Sequence, residues 1–281
     1  MRRLAQRSSA REKRRQEMGQ RVIPAFDLTG RVALVTGAGS PTGIGFATAQ
    51  LLAQMGASIV VTSTTDRIHD RARELGEDGF RAVGVVGDLT DPATAVALVA
   101  ASLEQYGGLD IVIQNAGMTS VSQPTFESGA LGEVDFELWR ASLSRNLDTT
   151  FHVAKACLPM MSAAGWGRLV MVASVTGPIM AMRNQPAYAA AKAGMVGLAR
   201  SLAIDSASRG VTINAVAPGW IETGSQTPFE ADQGRRSPLG RSATPSEVAA
   251  AICWLSSPGA SYVTGQCLIV DGGNSIAEER A

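Results

Sequence analysis

From Leu28 onward, short runs of β-branched and aliphatic residues alternate with longer stretches of helical periodicity, and few folds accommodate that alternation. The runs predict strands over 32–35, 58–62, 82–86, 109–113, 169–173, 211–216 and 267–270. Between them the 3.6-residue pattern predicts helices over 44–55, 67–75, 92–106, 135–161, 187–208 and 245–256. Strands this short and apolar suit a parallel sheet covered on both faces. Strict strand–helix alternation then argues for a single α/β domain, doubly wound, with about seven strands. The irregular stretches are 118–134 and 220–242. Loops of that length inside a compact domain are usually functional, and in such sheets ligands sit beyond the carboxyl ends of the strands.

Composition narrows the function class. The chain has 281 residues and zero formal net charge, so one large domain is expected and bulk charge gives no attraction to nucleic acid. No apolar run approaches the ~18 residues that a membrane span needs. Cys157, Cys253 and Cys267 are odd in number and widely spaced, which suggests neither a disulfide framework nor a metal site and fits a reducing cytoplasm. His69 and His152 are too separated for a zinc site, and no metal is expected. Residues 1–21 differ from the rest, with eight basic residues against Glu12 and Glu17. This stretch has almost no apolar periodicity, so 1–27 reads as a flexible basic extension to a domain at 28–281. Its arginines also fit an organelle-targeting peptide, though its glutamates and scarce apolar residues argue against one. An electrostatic contact with a neighbouring subunit or acidic partner is a third reading.

Directly after the first strand runs Thr36-Gly37-Ala38-Gly39-Ser40-Pro41-Thr42-Gly43-Ile44-Gly45. Glycines let backbone N–H groups approach a pyrophosphate, and the helix opening near Gly43 aims its positive end there. A strand before the loop and a helix after it give the motif its required context. An acid at the end of the second strand would bind a ribose 2′-hydroxyl. Here Ser63 and Thr64 stand in that place with Arg67 close by, which favours NADP(H). Asp66, turned into the ribose pocket, would restore NAD(H). Asp88 and Leu89, after the third strand, are placed to meet the adenine edge; a turn or capping role for Asp88 is the rival.

Tyr188 and Lys192 are four residues apart within Tyr188-Ala189-Ala190-Ala191-Lys192, hence on one helical face. A tyrosine of pKa about 10 needs roughly 4 kcal/mol of preference for phenolate to fall by about three units. An ammonium about 4 Å away at an effective dielectric near 20 supplies about 4 kcal/mol. The pair can therefore act as a general acid–base. The same spacing also occurs on solvated helix faces, so the surrounding motifs must decide.

Taken together, these residues resemble the short-chain dehydrogenase/reductase family over about residues 28–275. The resemblance rests on the Thr36–Gly45 loop, Asp88, Asn115-Ala116-Gly117, Asn146, Ser174, Tyr188/Lys192, Pro218-Gly219 with Thr223, and Asp271-Gly272-Gly273. It implies a Rossmann-type sheet and assigns roles by position. Tyr188 matches the general acid–base, and Lys192 the residue that lowers the tyrosine pKa and holds the nicotinamide ribose. Ser174 matches the serine polarising the substrate carbonyl, and Asn146 the asparagine holding a water in the proton relay. Asn115, Ala116, Gly117, Pro218 and Gly219 would flank the cofactor, and Ile221 and Thr223 would meet the carboxamide. Taken singly, Ser174 reads as a strand-end cap and Asn146 as a buried polar group.

Two departures stand out. Gly37 and Gly43 enclose five residues where the family's usual loop has three, a spacing similar to its enoyl reductase branch. That branch separates its tyrosine and lysine by six residues, so carbonyl chemistry is favoured here. The segment between Gly117 and Asn146 is also long, with Gln123-Pro124-Thr125-Phe126 expected to enlarge one pocket wall. Residues 224–241 are expected to fold over the substrate as a lid. Arg235, Arg236 and Arg241 would either meet an anionic carrier or be solvated charges. The resemblance implies a 3-oxoacyl-thioester reductase or related ketoreductase. An NAD-dependent secondary-alcohol or polyol dehydrogenase and a non-catalytic dinucleotide-binding regulator are the alternatives. It also implies a homotetramer, or a homodimer, formed through helices 135–161 and 187–208.

Overall fold

The computed structural model of the protein describes residues 23–117 and 128–279. Nearly all of the basic extension and the pocket-wall segment Gln123-Pro124-Thr125-Phe126 lie outside the described residues. Seven strands, β1 (Val32–Val35), β2 (Ser58–Ser63), β3 (Ala82–Val86), β4 (Ile111–Gln114), β5 (Gly167–Val172), β6 (Val211–Pro218) and β7 (Cys267–Val270), form one sheet. Their order is β3-β2-β1-β4-β5-β6-β7 and every ladder is parallel. The winding direction reverses between β1 and β4, where Val35 pairs with Ile113. A crevice at that reversal is the expected ligand site of such a sheet.

The strand sequences explain the layers. Ala33, Val35, Ile59, Val61, Ile111 and Ile113 project to one face, against α1 (Ile44–Gln54), α2 (Arg67–Glu77) and α8 (Pro245–Ser256). Leu34, Val60, Val112, Leu169 and Met171 project to the other, against α3 (Pro92–Tyr106), α5 (Thr149–Ala164) and α6 (Pro186–Ser206). Leu52, Ile59, Leu98, Ile113 and Met171 are fully buried, each worth roughly 1.5–3 kcal/mol relative to exposure. The edge strands β3 and β7 are only partly buried, as expected of strands with a single neighbour.

Besides shifts of one or two residues at other element ends, local structure departs from the sequence reading at three points that bear on the site. The helix expected over 135–161 is α4 (Phe136–Leu143), a π-helical turn (Ser144–Asp148) and α5, which runs on to Ala164. Within that turn, Thr149 Oγ1 donates to Arg145 O at 2.8 Å and Thr150 Oγ1 donates to Asn146 O at 2.7 Å, so side chains take up carbonyls of the widened turn. Second, the stretch read as an irregular loop contains α7 (Pro228–Arg235), with a complete capping box between Thr227 and Glu230. Third, β5 starts at Gly167 and ends at Val172, which puts Ser174 two residues beyond the strand rather than at its end.

Candidate active site

The glycine loop leaves β1 through a buried polar knot. The Thr36 hydroxyl donates to Gln114 Oε1 at 2.8 Å and accepts from Asn115 N at 3.0 Å and Ala116 N at 2.9 Å. Asn115 Nδ2 then donates to the carbonyls of Thr36 and Gly37 at 3.1 and 3.0 Å. The β1 and β4 carboxyl ends are thereby locked together at the winding reversal. Gly37 has φ +65°, a left-handed conformation that glycine adopts readily. A methyl there would sit 2.9 Å from the Ala116 backbone. Gly43 precedes α1 without a side-chain cap, which leaves the helix's first N–H groups facing the loop. These features fit a dinucleotide pyrophosphate, whose charge that helix end favours.

The selectivity residues lie on the same side. A methyl on Gly39 would meet Ser63 Oγ at 2.8 Å and Arg67 Nε at 3.0 Å, so both side chains lie against the glycine loop. Ser63 Oγ donates to Thr65 O at 3.0 Å, and Thr64 follows it at the end of β2. Asp66 precedes α2 and makes no capping bond. Asp88 Oδ1 accepts from Thr90 N and Thr90 Oγ1 at 2.9 and 2.8 Å, so this oxygen serves a turn. The Leu89 carbonyl accepts a bond from His152 Nδ1 at 2.9 Å, which gives that histidine a structural task. Ser40 Oγ and Thr42 Oγ1 are 3.5 Å apart in the inserted part of the loop.

The catalytic candidates gather beyond β4, β5 and β6. Tyr188 and Lys192 are buried on the first turns of α6, at 8% and 3% exposure. Lys192 Nζ lies 5.6 Å from the Tyr188 ring centre and donates to Val172 O at 3.0 Å. Ser174 Oγ accepts from Thr176 N at 3.1 Å, and its hydroxyl lies near enough to Tyr188 to lower the phenol's pKa. Asn146 sits on the π-helical turn, and its Nδ2 donates to Ser142 O at 3.0 Å. A methyl on Gly117 would lie 2.7 Å from Asn146 Oδ1 and 3.5 Å from Lys192 Nζ, which places both side chains at the end of β4. The structure thus brings Asn146, Ser174, Tyr188 and Lys192 to one cleft. Pro218 ends β6 and its carbonyl accepts from Val175 N at 3.0 Å, and Gly219 N donates to Val270 O at 3.0 Å. Ile221 bridges to Ala243, and Thr223 Oγ1 is 3.1 Å from Ser225 Oγ at the mouth of the 220–242 segment.

A family model described as enoyl-(acyl carrier protein) reductase matches residues 37–275, nearly all of the domain just described. The chain belongs to the short-chain dehydrogenase/reductase family. The cis-4-hydroxycyclohexanecarboxylate dehydrogenase of Sinomonas cyclohexanicum is 41% identical over 247 residues, 86% of this chain and 96% of that protein. The 3-oxoacyl-[acyl-carrier-protein] reductase of Vibrio cholerae is 39% identical over 253 residues, 88% of this chain and 98% of that one. The crystal structure of a dehydrogenase/reductase from Sinorhizobium meliloti superposes with a TM-score of 0.81 at 27% identity, over 90% of this chain and 98% of that one. As a member of this family, the chain is a nicotinamide-dependent oxidoreductase acting on CH–OH or C=O groups of small molecules. Among the described residues no helix is long and apolar enough to cross a membrane.

Electrostatics correct one part of the sequence argument. Burial pushes the Tyr188 phenol up to about 12, the nearby Ser174 hydroxyl pulls it back, and the Glu230 carboxylate raises it further. Burial also pulls the Lys192 ammonium down to about 8. Desolvation therefore outweighs the acidifying pull expected from the amine, because both groups lie in the same low-dielectric cleft. At neutral pH the phenol keeps its proton and the amine is mostly charged. Glu230, on α7, is the residue that the sequence reading missed. Its signal was present in Thr227-Pro228-Phe229-Glu230, a capping box with proline at the first helical position. In the same segment, Phe229 meets Trp220 edge-on with ring centres 6.4 Å apart. Arg235 and Arg236 both pair with Asp232, and Arg241 pairs with both Glu247 oxygens. These three arginines are engaged in surface ion pairs.

Proposed function

We propose that this short-chain dehydrogenase/reductase reduces a ketone with NADPH, and that its substrate class is a 3-oxoacyl thioester or a related neutral ketone. The observation carrying the proposal is the clustering of Asn146, Ser174, Tyr188 and Lys192 beside Gly117, the first, third and fourth of them buried. When bound, the nicotinamide supplies the hydride. The protein's own residues orient the carbonyl and manage the proton. Ser174 Oγ donates to the carbonyl oxygen, and Tyr188, still protonated at pH 7, hands that oxygen its proton as negative charge develops. Lys192, anchored on Val172 O, keeps a positive charge near the phenolate left behind. Asn146, held on its π-helical turn, positions the proton relay.

The NADP(H) preference rests on Arg67 lying against Gly39 beside Ser63, with hydroxyls where an acid would bind the ribose. The spacing of Tyr188 and Lys192 supports carbonyl rather than enoyl reduction. We further propose a domain at 28–281 carrying a basic extension at 1–27, a cytoplasmic location, and a homotetramer. Exposed Phe136, Phe151 and Ile204 on α4, α5 and α6 supply apolar surface for that assembly. A second reading, an NAD-dependent dehydrogenase of alicyclic alcohols, is favoured by the 41% identical relative. Initial rates with β-ketoacyl thioesters and with cyclic ketones and alcohols, each with NADPH and NADH, separate the two. The primary reading predicts the highest kcat/KM for a thioester with NADPH. A preference for NADH above tenfold would overturn the argument from Ser63 and Arg67.

A further inference from the structure

The two residues that lengthen the glycine loop end on Thr42, and Thr42 reaches out of that loop. Its Oγ1 accepts a hydrogen bond of 3.1 Å from Gly224 N, across 182 residues of chain. Gly224 follows Thr223 and leads into the lid helix α7. A methyl there would sit 2.5 Å from Thr42 Oγ1, so a side chain at this position displaces the threonine hydroxyl from its bond. Ser40 Oγ lies 3.5 Å from the same oxygen. Beyond Gly224 the lid is stiffened locally, by a bond between Gln226 N and Thr223 O at 3.0 Å and by the Thr227–Glu230 capping box. The Thr42 bond therefore ties the base of the lid to the phosphate loop.

We propose that Thr42 is a positioning residue that clasps the base of the substrate lid to the dinucleotide loop, so that the loop sets the lid over the substrate. This rests on the ketone-reductase reading for its kinetic arm but not for its structural arm. One exposed hydrogen bond of ordinary strength corresponds to a roughly two- to tenfold effect on an equilibrium. The test compares full-length wild type, Thr42→Val, Thr42→Ser and Gly224→Ala. Hydrogen exchange of the peptide spanning Gly224, NADPH affinity by fluorescence titration, and kcat and KM for the best ketone are measured. Thr42→Val and Gly224→Ala are expected to speed exchange at Gly224 about two- to tenfold. They should raise the ketone KM by a larger factor than they lower kcat and change NADPH affinity less than either, while Thr42→Ser restores all three. Unchanged exchange at Gly224 in Thr42→Val, or equal impairment of Thr42→Val and Thr42→Ser, would overturn the clasp. So would a loss confined to NADPH affinity, which would make Thr42 a phosphate ligand instead. Absence of turnover in the wild type would count against the reductase reading, and the exchange data would still decide the clasp.

Discussion

Removing one hydroxyl, that of Thr36, should undo the junction between the cofactor loop and β4. Thr36→Val preserves shape and deletes only hydrogen bonding. The change leaves the Gln114 carbonyl oxygen, in a residue with no exposed surface, without the donor now at 2.8 Å. It also takes the acceptor from Asn115 N and Ala116 N, which lie in partly buried positions. A fully buried orphan costs about 1–3 kcal/mol, and each half-buried N–H, open in part to water, costs roughly 0.5 kcal/mol or more. The sum is about 2–4 kcal/mol, a large share of the ~5–15 kcal/mol that holds a domain together. Thermal unfolding followed by circular dichroism should show a fall of roughly 5–15 °C in Tm for a domain this size. Thr36→Ser, which keeps the hydroxyl, should recover most of it. A Thr36→Val Tm within about 2 °C of wild type would refute the reasoning, because the junction would then not depend on that oxygen.

Two further outcomes follow from the cleft. In Glu230→Gln the carboxylate that raises the Tyr188 pKa is gone, so the phenol ionises at lower pH, and its phenolate absorbance, titrated against Tyr188→Phe as the blank, moves to lower pH. A Tyr188 titration that stays put, or moves upward, contradicts the reach of the Glu230 carboxylate to the tyrosine. Arg67→Ala removes a guanidinium from beside the glycine loop, so it should raise the KM for NADPH about tenfold or more while that for NADH changes little. Equal changes for both dinucleotides would remove the 2′-phosphate argument.

The alternation of strands and helices was legible because β-branched runs and helical periodicity are local signals. The bounds of β1, β3, α3, α8 and β7 match the reading residue for residue. Tyr188 and Lys192 were legible for the same reason, since their juxtaposition needs only a helix. What escaped the reading depends on partners distant in sequence or on summed burial. The π-helical turn at Ser144–Asp148 is fixed by hydroxyls competing for carbonyls, which periodicity alone cannot register. The net direction of the Tyr188 shift is set mainly by burial in the folded protein, which the sequence argument from one neighbouring amine does not contain. The bond from Gly224 to Thr42 joins segments with no sequence relation. The helix α7 is different, because its capping box from Thr227 to Glu230 is a local signal in the sequence.

The central claim is that the buried Tyr188 phenol is the proton donor to a carbonyl beside a bound nicotinamide. Its most direct test is the single-turnover rate of NADPH oxidation by Tyr188→Phe against wild type, on the best ketone, with NADPH binding measured on both. The account predicts a rate loss of about 10²–10⁴-fold with NADPH still bound. A variant turning over at more than about a tenth of the wild-type rate would contradict it, since a general acid contributes roughly 10²-fold or more.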